Sequence, residues 1–166
     1  MSSVSCKSKM LRIEGLASLI AMACLWPVVG SAQANWEIDA AGLAGACAMV
    51  TPVIVINDGH GETKVQLKLN REQLVVFTDS NIDNSKQDLG LQVDDKPFIG
   101  ITGLSGEMHV VFGKERIDTI IDQFVPGRRV VIYLRFWPTW PETGIKEAEF
   151  SLIGFTKTLQ SLSECS

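Results

Sequence analysis

Hydrophobic and polar residues alternate along much of this chain. Between residues 63 and 70, Val65, Leu67 and Leu69 take every second position among polar neighbours. A period of two puts all three side chains on one face of a β-strand. Asn70-Arg71-Glu72 then turns the chain into residues 73–78, which carry Leu74, Val75, Val76 and Phe77. Residues 81–86 read as a polar loop, residues 89–93 alternate again, and Asp94-Asp95-Lys96-Pro97 is a turn. Residues 98–102 and 108–112 are two more short apolar runs. Residues 129–136 hold the β-branched and aromatic series Val130-Val131-Ile132-Tyr133-Leu134, and Ala148, Phe150 and Leu152 close the pattern. Earlier, residues 36–39 and 46–56 add one or two strands. Short strands at this spacing, punctuated by turns, predict an antiparallel β-sandwich or a barrel-like closure.

Two segments follow the helical period instead. Ile117, Ile120, Ile121 and Phe124 share one helix face, and Pro126-Gly127 stops that helix. Phe155, Leu159 and Leu162 do the same near the end, with a start around Thr156. Neither helix is long enough to persist alone in water, so each is expected to lay its apolar face on a sheet. The predicted architecture is mainly β with two short covering helices.

The first 34 residues do not belong to that pattern. Lys7, Lys9 and Arg12 precede an uncharged, mostly apolar run over residues 16–29, and Ser31-Ala32-Gln33-Ala34 follows. A positive start, a greasy middle and small residues at an A-x-A site describe a secretory leader cut between Ala34 and Asn35. The apolar run falls short of the ~20 residues that a spanning helix needs, and it contains Pro27, so no stable membrane span is expected. Ala21-Met22-Ala23-Cys24 resembles a lipoprotein box at Cys24 but lacks the usual leucine. Residues 35–166 are then one β-rich domain, bacterial in style and placed in the periplasm or outside the cell.

Removing the leader takes away three basic residues and one acidic one, leaving 12 Lys and Arg against 18 Asp and Glu. That balance argues against a nucleic-acid partner, whose affinity rests on neutralising phosphates. The leader also removes Cys6 and Cys24. In an oxidising compartment the remaining pair, Cys47 and Cys165, is expected to form a disulfide that ties an early segment to the penultimate residue. Two buried thiols, or a catalytic thiol using His60 or His109 as base, are the alternatives.

Chemistry-bearing motifs are few. In Trp137-Pro138-Thr139-Trp140-Pro141 the prolines favour polyproline-type backbone, which would point Trp137 and Trp140 the same way about 9 Å apart. With Arg135 nearby, this segment is the candidate binding surface for a sugar or an extended peptide. Its bland reading is a tryptophan plugging the core edge and prolines guarding a strand end. Asp58-Gly59-His60-Gly61-Glu62 offers half a metal site or an acid–base pair, though a polar hairpin loop accounts for it better. His109 shares a strand face with Val111, as a solvated or hydrogen-bonded histidine. Asp94 and Asp95 with Asn81, Asp83 and Asn84 make oxygen-rich loops without calcium-loop spacing. No catalytic set emerges, and no cofactor is expected.

The layout of the whole chain resembles the invasion-associated locus B family of secreted bacterial proteins. The features that carry this are the leader, Trp36 near the mature start, the early Cys47, the strand Leu91-Gln92-Val93-Asp94, the amphipathic helix leading to a strand over residues 117–133, and the ending Phe150-Ser151-Leu152-Ile153-Gly154-Phe155-Thr156 with Leu159. The likeness spans most of residues 36–162 at scattered positions. Where the family carries mid-chain cysteines, this chain reads Met108-His109-Val110-Val111-Phe112-Gly113, and Cys165 is extra. The resemblance implies a β-sandwich, a cell-envelope location and a link to host-cell association, with no defined catalytic residues. The expected function is non-enzymatic binding of a protein or glycan partner in the envelope. The alternatives are an envelope hydrolase or metal-dependent enzyme built on Asp58, His60 and Glu62, and an inhibitor or immunity partner of an exported protein.

Overall fold

The computed structural model describes residues 36–138 and 144–165; the leader, with its cleavage point at Ala34 and Asn35, and Trp140 lie outside them. In order the elements are β1 (Glu37–Leu43), β2 (Ala46–Val50), β3 (Ile54–Asn57), β4 (Glu62–Leu69), β5 (Leu74–Thr78), β6 (Gly90–Val93), β7 (Ile99–Gly100), β8 (Gly103–Ser105) and β9 (His109–Phe112). Helix α1 (Lys114–Phe124), β10 (Arg129–Leu134), β11 (Lys146–Ser151) and α2 (Phe155–Leu162) follow. One sheet runs β1-β2-β4-β5-β9-β8, with β3 also on β4; the other runs β11-β10-β6-β7. The named strand pairings are all antiparallel. The arrangement is sandwich-like, and among the described residues there is no closed barrel.

The core sits between the sheets and follows the period-two pattern. Val65, Leu67 and Leu69 of β4 and Val76 and Val110 of their neighbours are fully buried. So are Leu91, Val130, Ile132 and Ala148 from the other sheet. Register stacks Ile132 between Leu91 and Ala148. Truncating a side chain in such a layer costs about 2–5 kcal/mol, because the surrounding strands cannot collapse into the space.

Two apolar runs that look continuous in the sequence are divided. Residues 46–56 give β2 and β3, both on β4, but the pairing shifts from Val50↔Lys68 to Ile54↔Val65. Pro52 has no N–H to offer a ladder. Thr51 repairs the break: its N–H donates to Leu67 O (3.1 Å) and its Oγ1 accepts from Leu67 N (3.0 Å). The extra residue makes a β-bulge. Residues 98–102 divide further, since β7 pairs with β6 while β8 pairs with β9 in the other sheet. Ile101 N donates to Leu89 O and Thr102 N to Val111 O, so successive amides bond to different sheets. The 81–86 loop is not simply polar: Ile82 is 4% and Asp83 1% exposed.

The helices close the domain as expected, burying Ile117, Ile120 and Phe124 of α1 and Phe155 and Leu162 of α2. Trp36 joins them rather than extending a strand. Its ring lies 6.2 Å from Phe124 and 5.2 Å from Phe155, and its Nε1 donates to Ser151 O. The stop after α1 requires Gly127, where a Cβ would come within 2.5 Å of Val93 and 2.7 Å of Leu152. From α2 the chain reaches Cys165, which is bonded to Cys47, 118 positions earlier in sequence, with the two Cα atoms 6.1 Å apart. Closing a loop that long removes unfolded-state entropy worth up to about 5 kcal/mol.

Candidate binding surface

Strand β10 leaves its sheet at Leu134, and the next three residues run against the loop after β5. Asp83 N donates to Arg135 O (2.8 Å) and Trp137 N donates to Asn81 O (2.9 Å), with Ile82 and Phe136 bridged between them. Phe136 is thereby driven into the core, and Trp137 is left 51% exposed. The backbone under Trp137 is held from a second direction. His60 Nε2 donates to Pro138 O at 2.8 Å, from the tip of the β3–β4 hairpin. Two motifs far apart in sequence therefore meet, one supporting the other.

Arg135 does not contribute to this surface. The expectation that its guanidinium would flank the tryptophans is corrected by its burial: it is 4% exposed and ion-paired through Nη2 to Asp88 Oδ2. A charge can be buried this way only when a counter-charge satisfies it, and removing either partner strands the other. Arg135 is a structural residue at the base of the segment.

Asp58, His60 and Glu62 are each placed separately by the β3–β4 hairpin. Asp58 Oδ1 accepts the His60 and Gly61 amides, both at 2.8 Å, and its Oδ2 accepts the Ser80 hydroxyl at 2.7 Å. These bonds hold its carboxyl below the ordinary range, the Ser80 hydroxyl first and the His60 amide next, against an opposing effect of burial that exceeds the Gly61 amide's share. His60 spends Nε2 on Pro138, and Glu62 starts β4 opposite Asn57 with its side chain exposed. Among the described residues no group of three or more His, Cys, Asp or Glu side chains converges on a metal position. The loop is a hairpin turn, with an aspartate organising its amides.

Other side chains are placed by the sheets. Asp94 accepts from the amides of Arg128 and Arg129 (3.0 and 3.3 Å), and Asp83 Oδ1 accepts from Ser85 N, so both serve turns. His109 is half-buried on the outer face of the large sheet, its ring 4.5 Å from Phe77. On the other side of that face Lys68 Nζ lies 5.6 Å from the Phe77 centroid and 2.9 Å from Asp39 Oδ2. The Lys68 hydrogen bond, then the Gly42 amide, hold the Asp39 carboxyl below its ordinary range. Between α1 and α2 a groove of about 320 Å³ is lined by Ile117, Ile121, Leu159 and Leu162, with Arg71 and Lys114 at its rim. Arg71 and Leu162 also line a neighbouring cavity of about 250 Å³ that reaches Cys47 and Cys165.

Sequence reading missed the exposed Phe98, which packs beside Tyr133 on the outer face of the small sheet. The available signal was Gly90 and Gly100 within otherwise apolar strands, since an interior strand glycine marks close approach of another group. No helix among the described residues is long and apolar enough to cross a membrane. No family model, no curated protein and no solved structure matches the chain.

Proposed function

We propose that the protein is a non-enzymatic binding protein of the bacterial cell envelope, exported to the periplasm or beyond, which takes a protein or glycan partner on the surface around Trp137. One observation carries this reading: a tryptophan 51% exposed stands on backbone fixed from two sides, by Asn81 O and by His60. An exposed indole on a rigid base offers a large apolar contact with little conformational entropy to lose on binding. Trp140 extends the surface in this proposal. The disulfide is compatible with an oxidising compartment, and the resemblance to the invasion-associated locus B family supports an envelope setting with host-cell association.

The test compares the protein with its Trp137→Ala/Trp140→Ala variant, against a glycan array and against envelope extract. The proposal expects the variant to melt like the parent and to lose partner capture. Capture that survives both substitutions, or a variant that no longer folds, removes the support for this surface.

A further inference from the structure

The outer face of the four-stranded sheet carries a second aromatic site. Register puts Glu147 opposite Tyr133 on one side and Gly90 on the other. Phe98 occupies the space above Gly90, where a Cβ would come within 2.3 Å of its ring. The bare backbone lets that ring settle 5.9 Å from Tyr133, inclined at 58°. Tyr133 OH donates to Gln92 Oε1 (3.3 Å) and Gln92 Nε2 to Lys96 O, which steadies the phenol. Phe98 nevertheless remains 46% exposed. Beside the two rings Glu147 is exposed, and it has no ion pair among the described residues, whereas Glu149 is bonded to Arg129.

The large sheet shows how this protein completes such a grouping. There an aromatic ring, Phe77, and a carboxylate, Asp39, share a lysine supplied by the chain itself, Lys68. On the small sheet the rings and the carboxylate are present, and no lysine or arginine of the described residues lies over them. We propose that this face binds a lysine or arginine side chain in a basic segment of a partner protein. The ring faces carry negative quadrupole charge and Glu147 adds a full charge, so the site is complementary to a cation. Rings inclined at 58° do not lie flat together on one sugar ring, which sets this surface apart from a glycan platform. The inference is independent of Trp137 and stands or falls separately from it.

Tyr133 is the single tyrosine of the chain, so its ring resonances report on the site without ambiguity. The test titrates the purified protein with a tetralysine peptide, followed by NMR, beside a tetraglutamate peptide and cellotetraose. The expected result is a saturable Tyr133 shift with tetralysine alone. Phe98→Leu, which keeps the apolar bulk, and Glu147→Gln should each weaken it by about two- to fivefold, the scale of one exposed cation–aromatic or ion-pair contact. No saturable shift, an equal response to tetraglutamate or cellotetraose, or unchanged affinity in both variants would overturn the proposal.

Discussion

Trp36 and Trp137 are the same residue put to opposite uses. Trp36 is 2% exposed; its indole N–H is bonded to Ser151 O, its own carbonyl accepts from Thr158, and Phe124 and Phe155 pack against its ring. Its indole N–H is paired by strand β11 and its carbonyl by helix α2, so both elements are tied to it. Among the described residues Trp137 is held through its main-chain N–H, bonded to Asn81 O, and its side chain stands half in water. The fold uses the first ring as a keystone and merely presents the second. A residue that stabilises the fold through its backbone leaves its side chain available for something else.

The largest effect expected from this contrast is on stability. Trp36→Ala should lower the free energy of unfolding by about 3–5 kcal/mol, as for other large buried aromatics, and Trp137→Ala by less than about 0.5 kcal/mol. Urea melts of the two variants read both values, and equal losses would erase the distinction. Next comes the clasp beneath the Trp36 end. Cys165→Ser should cost about 2–4 kcal/mol by restoring unfolded-state freedom, and the parent should be lighter than its reduced form by two hydrogens in non-reducing mass spectrometry.

Smaller effects sharpen the Trp137 side. His60→Ala should cost about 1 kcal/mol or less, since its bond to Pro138 O is exposed to solvent, yet it should shift the Trp137 indole resonance by loosening the backbone beneath it. The smallest change is in acid. The native Asp58 carboxyl is held below its ordinary range by Ser80, so its contribution is complete above about pH 4 and fades as pH falls through the lowered native value. Asp58→Asn should flatten the acid side of the stability–pH curve, and a slope identical to the parent's would contradict that role.

Much of this architecture was legible because two periods are hard to confuse. Val65, Leu67 and Leu69 announce β4, and Ile117, Ile120 and Phe124 announce α1, from spacing alone. Spacing says nothing about which sheet a strand joins, so the crossing at Ile101 and Thr102 was invisible within one apolar run. Nor does it reveal a partner distant in sequence. Arg135 reads as surface because arginine usually is, and its burial goes with an ion pair to Asp88, 47 residues away. The hairpin tip at His60 and the carbonyl of Pro138 are 78 residues apart, so their meeting also had to come from the fold. The Trp137 motif was legible as a motif, and its support was not.

The central claim is that the Trp137 surface is separable from the fold that carries it. The most direct measurement places Trp36→Ala and Trp137→Ala/Trp140→Ala side by side, with thermal unfolding and partner capture read on each. The account predicts that the double variant keeps the parent's unfolding temperature and loses capture, while Trp36→Ala unfolds far earlier. A double variant as unstable as Trp36→Ala, or one that still captures its partner, would contradict it.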